Sequence, residues 1–468
     1  MIRNLFSVVT RHWLSLVGAV LALVAAILIV MLFAIGLLGF HGGAYLGILT
    51  YLLLPGLVIL GLLMIPLGVW RKRKLDAAAD LAHGEHPKLP VIDLNSQHTR
   101  GLLFGSVSIG VVLLVIVAAA TFKGVEVMES VGFCGTVCHT VMQPEYTAFQ
   151  RSAHSRLRCA DCHIGEGADW FVKSKISGSW QLVSVAFNLY PTPIPSPVHN
   201  LRPARETCEQ CHWPTRHVGD KLQVRSKFAA DESNTETKTV LLMKVGGQEG
   251  TSSTGIHWHV DRGVQIRYLS DPNRQEVYDV EMTTADGKTK TFKTKEQPSG
   301  PTQWRTMDCV DCHNRPSHTF KPPEREVDDA LEDGRIDKTL PFVKRESLRL
   351  LTASYPSQGA ARAGIAQGLE AFYKSSYADA ATAKAPAIAA AGKALGDIYS
   401  WNVFPAMKVT WGTYKSNIGH DDAPGCMRCH DKKHVAADGA RITGSCKSCH
   451  TVVADDEKDP EILSTLKP

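Results

Sequence analysis

Five times in this chain two cysteines separated by two residues are followed at once by a histidine. The sites are Cys159/Cys162/His163, Cys208/Cys211/His212, Cys309/Cys312/His313, Cys426/Cys429/His430 and Cys446/Cys449/His450. A sixth, Cys134/Cys138/His139, is one residue longer between its thiols. Together they consume all 12 cysteines. Two thiols at this spacing can form thioethers to the two vinyls of a haem, and the adjoining His then ligates the iron. The chemistry expected is therefore that of six covalently bound c-type haems. Structural zinc also uses such cysteine pairs, but it needs two pairs per ion, or one pair with a His pair. It does not require His directly after the second cysteine. A disulfide framework does not explain six pairs of so short a span.

A His-ligated iron has a second face, and what occupies it separates electron transfer from catalysis. Beyond residue 122 the histidines outside the motifs are His154, His199, His217, His257, His259, His318, His420 and His434. Eight candidates thus compete for at most six positions. Met128, Met142, Met407 and Met427 are also available. Two axial side chains leave no site for substrate, and paired histidines favour a low potential over a Met/His pair. His154, His318, His420 and His434 lie close to an attachment motif, and with His199 they are expected as distal ligands. His257 and His259 flank Trp258. In a strand both would point to one face, so one of them is expected to take a further place.

The elements that must hold these sites begin with a membrane anchor. From Trp13 to Trp70 there is no Asp, Glu, Lys or Arg, enough for two spans of about 20 residues each. Gly39 to Gly43 is the expected break, giving an uncleaved hairpin rather than a signal peptide. Gly101 to Phe122 is a third uncharged stretch. Arg3 and Arg11 precede the first span, and Arg71 to Lys74, Lys88 and Arg100 lie between the second and third. The positive-inside rule then puts the N-terminus in the cytoplasm and residue 123 onward on the far side. That is the side on which bacteria attach c-type haem. His83, His86 and His98 fall on the cytoplasmic side and are excluded as ligands. The net charge of +5 is small for 468 residues and makes no case for nucleic acid.

Motif spacing and composition divide the chain as follows. Residues 1–70 form a transmembrane hairpin, 71–100 a cytoplasmic loop and 101–122 a third transmembrane helix. Residues 123–225 carry three haem sites. Residues 226–308 form a β-rich insert, with strands expected at Thr239–Val245, Val264–Tyr268 and Val277–Met282 and a hairpin turn at Asp286-Gly287. Residues 309–400 hold the fourth site and Ala-rich helices over 358–398, interrupted at Pro386. Residues 401–468 hold the last two sites, and Asp455 to Glu461 reads as a solvated tail. The expected fold is a multihaem cytochrome c with three N-terminal transmembrane helices, mainly α and irregular around the haems, with a small β-rich part.

The run from Phe133-Cys134 through His139, then Glu145-Tyr146, His154-Ser155 and Cys159 to His163, following a membrane helix, resembles the NapC/NirT/NrfH family of membrane-anchored, quinol-oxidising cytochromes. The likeness covers about residues 101–215. The stretches Pro195 to Cys208, Met307 to His318 and Lys408 to His420 resemble the larger multihaem members of the bacterial inner membrane. The chain departs from them in its extra hairpin and in the longer first loop. The relatives have a Met two residues after the first motif His; here Met142 is three residues after His139. The resemblance implies a Lys and an acidic residue beside the first haem to handle quinol, for which Lys173, Lys175 and Asp169 are the candidates. It implies electron flow from the membrane quinol pool to a periplasmic acceptor or partner cytochrome. Two other readings are an electron-wiring subunit of a larger membrane complex and a terminal multihaem reductase.

Overall fold

In the computed structural model the described residues are 12–37, 49–82, 94–137, 139–165, 167–198, 201–212, 219–246, 248–249 and 252–465. The chain divides into two compact units, residues 1–138 and 139–468.

The first unit holds three helices long and apolar enough to cross a membrane: α1 Trp13–Leu37, α2 Leu54–Ala82 and α3 Gln97–Met128. The break expected at Gly39 to Gly43 lies outside the described residues. α1 and α2 pack through small residues. A Cβ added at Gly18 would lie 2.6 Å from the carbonyl oxygen of Gly61, and one at Gly61 would lie 2.5 Å from that of Gly18. Ser15 Oγ donates to Ile65 O at 3.0 Å, a bond across the pair. Apolar burial does not drive association inside a bilayer, so close backbone approach and such bonds carry it. Ala25, Ala26, Ile29, Leu54, Val58 and Ala120 are buried together, which ties α3 to the hairpin. α2 runs on past the expected span end at residue 70, and α3 starts at Gln97, before Gly101.

The second unit builds its framework between the attachment motifs. β1 Lys221–Phe228, β2 Glu236–Met243 and a late strand, His450–Glu457, form one antiparallel sheet with β2 in the centre. A second sheet has the strand order Gln303–Thr306, Val264–Ser270, Val277–Thr284, Thr289–Lys293, Val435–Ala436. Its hairpin turns at Gly287, whose φ of +77° suits glycine. Both sheets therefore take a strand from the C-terminal segment, which is woven into the β-rich part.

Asp455 and Asp456, expected in a solvated tail, lie in the 450–457 strand. Thr239 Oγ1 donates to Asp455 and Thr237 Oγ1 to Asp456, so cross-strand pairing overrides the local acidic character.

The Ala-rich part forms the helices Gln358–Ser376, Ala378–Ala383 and Ala385–Asn402, with Pro386 in the first turn of the last. Pro is tolerated there because its missing N–H has no intrahelical partner. These pack with Pro323–Glu332 and Val343–Leu351 around Leu331, Leu351, Ile365, Leu369, Tyr373 and Leu395. This is the largest cluster of buried apolar side chains among the described residues, and it contains no attachment motif.

Candidate haem ligand sites

The motif cysteines sit on single tight turns. Cys159–His163 and Cys309–Cys312 are one-turn helices, and Ala204–Cys208 ends at a motif cysteine. The amides of His212, His313 and His430 donate to the carbonyls of Cys208, Cys309 and Cys426 at 2.7, 2.8 and 3.1 Å. One turn of backbone thus carries both thiols and the histidine. Asp161 and Asp311, each inside its motif, fold back onto the amides of Arg158 and Asp308 and close the turn.

Each of the five regular motif histidines faces a second histidine from elsewhere in the unit. Ring centroids lie 6.2 Å apart for His163 and His318, and 6.0 Å for His212 and His154. They lie 6.4 Å apart for His313 and His257, 5.7 Å for His430 and His259, and 6.2 Å for His450 and His420. An imidazole nitrogen binds a first-row metal at about 2 Å, so two rings on opposite sides of one ion have centroids about 6 Å apart. All five pairs have that separation.

Ring orientation is set by the other nitrogen. Nδ1 of His257 contacts Val245 O at 2.8 Å, and Nδ1 of His259 contacts Ile256 O at 2.8 Å. Nδ1 of His318 contacts Glu145 O at 3.0 Å, and Nδ1 of His430 contacts Thr443 O at 2.6 Å. A ring whose Nδ1–H donates to a carbonyl keeps its lone pair on Nε2, the tautomer a metal ligand needs. Burial holds His259 and His318 below the ordinary imidazole range, hence neutral. Among the described residues no three His, Cys, Asp or Glu converge on one metal-sized point. Facing pairs beside thiol pairs fit haem, whereas a tetrahedral zinc site needs a four-ligand cluster.

The motifs also follow one another in space. Cys162 is within electrostatic reach of Cys208 and Cys211, and Cys208 and Cys309 share a hydrogen bond. Cys312 is in reach of Cys426 and Cys429, and Cys449 of Cys426. The second to sixth motifs thus form a chain in sequence order.

His434, expected as a distal ligand, has a different place. It is fully buried against the second sheet, with Nδ1 2.9 Å from Asp431 Oδ1 and Nε2 3.2 Å from Val277 O. Both nitrogens meet protein acceptors, and its near position in sequence to a motif did not bring it to one in space. His257 and His259 lie on a 3-10 turn, Gly255–Val260, instead of a strand. Each faces a different motif histidine, so both are candidate ligands where one was expected.

At the first site Cys134 lies on the π-turn Phe133–Val137, with its thiol 3.7 Å from Met128 O. Cys138, His199 and His217 fall outside the described residues, as does the His139 side chain. Met142 lies one turn along the helix His139–Gln150. Asp169, Lys173 and Lys175 share the helix Ala168–Ala186, and Lys173 Nζ lies 4.6 Å over the Trp170 ring. Val172, Ile176, Trp180, Val183 and Phe187 are exposed on that helix and its cap. Their spacing places them on one face.

Glu145 was seen in sequence only as part of a resemblance, but it has a definite task. Arg315 Nη2 donates to both its carboxylate oxygens at 2.8 Å, and its oxygen Oε2 lies 3.2 Å from Nδ1 of His318. The guanidinium of Arg315 in turn stacks on Tyr414 at 4.1 Å.

Thiol pairs on single turns, each with a motif histidine faced by another, beside three bilayer-length apolar helices, define a multihaem c-type cytochrome suited to membrane anchoring and electron transfer. A model of the NapC/NirT cytochrome c family, N-terminal region, matches residues 96–194. The cytochrome c-type protein ImcH of Geobacter sulfurreducens is 39% identical over 447 residues, which cover 94% of this chain and 87% of that protein. The chain belongs to the NapC/NirT cytochrome c family. No solved structure matches it.

Proposed function

We propose that this protein is an inner-membrane hexahaem cytochrome that oxidises quinol and passes the electrons along its haems to a periplasmic acceptor. The observation that carries the reading is the set of five facing histidine pairs at 5.7–6.4 Å, joined in order through their motif cysteines. Haems bound there would carry single electrons, with both axial positions filled by protein and no open face for a small substrate. That argues against a terminal reductase centred on any of these five sites.

In this reading residues 123–225 form the quinol-side trihaem module and residues 401–468 the exit end. The basic residues around the hairpin support a cytoplasmic N-terminus and a periplasmic haem domain. Quinol must lose two protons and two electrons. Asp169 is the candidate base, and Lys173 or Lys175 the candidate partner of a quinol oxygen. The apolar face of the 168–186 helix supports this assignment, since a quinol head group arrives on an isoprenoid tail and needs an apolar approach. Met142 is the candidate second ligand of the first iron.

The test is reduction of the detergent-purified protein by menaquinol and ubiquinol analogues, followed optically. Reduction by either supports the reading. Reduction by dithionite but by neither quinol defeats it and favours a wiring subunit that receives electrons from a partner protein.

A further inference from the structure

The fourth and fifth attachment sites are tied together by one arginine. Arg428 stands between the cysteines of the fifth motif. Its Nε donates to Gly425 O at 2.8 Å, its Nη1 to Arg274 O at 2.6 Å and its Nη2 to Asp311 O at 2.7 Å. Three carbonyls on three chain segments are thus held by a single planar fork, which a lysine cannot reproduce.

Asp311 stands between the cysteines of the fourth motif and is 1% exposed. Its Oδ1 accepts from Tyr268 Oη at 2.7 Å, from Arg305 Nε at 2.7 Å and from Arg274 Nη1 at 3.4 Å. Arg274 holds a φ of +59°, a left-handed conformation that costs a non-glycine residue about 1 kcal/mol. The surrounding bonds hold it there: its carbonyl meets Arg428 while its guanidinium meets Asp311. Three guanidiniums are gathered against Asp311, with Asp308 as the second carboxylate near Arg305. The charge of Arg428 is felt at both Cys312 and Cys429, one thiol from each motif.

A second link joins the same two sites. His257 and His259 are two residues apart on the 255–260 turn and face His313 and His430. Arg205 Nη2 donates to Val260 O at the end of this turn. The two sites therefore share a ligand-bearing turn on one side and an arginine on the other.

We propose that the fourth and fifth haems work as one redox pair, and that Arg428 is the positioning residue that fixes their approach and raises the potential of both. The inference rests on the haem reading above. A reduced haem iron carries one positive charge fewer than an oxidised one, so a fixed cation nearby favours the reduced state. Electrons reaching the pair would be held there relative to the sites on either side.

The test uses the full-length protein in detergent, with haem content by mass spectrometry, spin state by magnetic resonance and midpoint potentials by optical redox titration. Arg428→Gln should move two midpoints downward while the others stay in place and every haem remains low-spin. Arg428→Lys keeps the charge but loses the three-carbonyl fork. It should return the potentials only in part. Asp311→Asn removes the opposing charge and should move the same two midpoints upward. This opposite sign decides the case even if Arg428→Gln fails to assemble. Unchanged midpoints in both Arg428→Gln and Asp311→Asn, or movement of a single haem, would overturn the proposal. Wild-type protein without haem at Cys309/Cys312 or Cys426/Cys429 would instead overturn the underlying haem reading.

Discussion

The rings of His257 and His313 face each other with their planes 3° apart and their centroids 6.4 Å apart. They come from a 3-10 turn and an attachment motif far apart in sequence. His434, close in sequence to the fifth motif, instead bonds Asp431 and the sheet backbone. The two histidines should respond differently to replacement. His257→Ala should convert one haem to high-spin with the fold retained. His434→Ala leaves Asp431 and Val277 O without their partner. It should cost about 2–4 kcal/mol of stability with haem spin states unchanged. Magnetic resonance and thermal unfolding of both variants check this. A high-spin haem in His434→Ala would reverse the assignment.

Attachment and membrane spans were legible because they are local. Thiol spacing and uninterrupted apolar length need no tertiary information, and the strands at 264–270 and 277–284 announced themselves by β-rich composition. Which distal histidine meets which motif was not legible, because the pairings are long-range. His154 faces His212 although the motif of His163 is nearer in sequence. The 255–260 turn escaped because alternation around Trp258 reads as strand, whereas the chain tightens into a 3-10 turn that sends its two histidines to different sites. Asp455 and Asp456 were misjudged because their strand depends on threonines more than 200 residues earlier.

Glu145 supports His318 through both its carbonyl and its carboxylate while taking a two-oxygen contact from Arg315. The side chain of Arg315 is 9% exposed. Removing one partner of a buried pair leaves the other charge uncompensated, at a cost of about 3 kcal/mol. Glu145→Ala should lower stability by roughly that amount. Glu145→Gln should keep the packing and lose less. Thermal denaturation gives the ranking, and equal stability of both variants to wild type would remove the support role.

The hairpin of the first unit should tolerate no side chain at its crossing. Gly61→Val puts a Cβ against Gly18 O and the backbone of Ala22. Overpacking of this kind costs about 1–3 kcal/mol, and the helices must part. The expected readout is a lower yield of protein in detergent extracts of membranes, with Gly56→Ala as control, since nothing lies near that Cβ.

Covalent haem number is the plainest check on the reading. Intact-mass measurement should show six haem additions. A Cys134→Ser, Cys138→Ser double variant should show one fewer and keep the low-spin signals of the other five. Five additions in the wild type would mean that the longer first loop is not a haem site, and the quinol would then have to deliver its electrons elsewhere.

The quinol assignment is decided on the 168–186 helix. Asp169, Lys173 and Lys175 lie within two turns of one another, and Val172, Ile176 and Trp180 expose apolar surface on the same helix. Lysine can bond a quinol oxygen, and a carboxylate can take its proton. Loss of either slows the reaction with quinol while leaving the haems able to accept electrons from a small reductant. Lys173→Ala, Lys175→Ala and Asp169→Asn should therefore be assayed separately with a quinol and with dithionite, beside Met142→Ala for the first iron. A loss of about 10²-fold in quinol rate is the scale expected for removing a general base, with dithionite reduction intact. Unchanged quinol rates in all four variants would move the site off this helix.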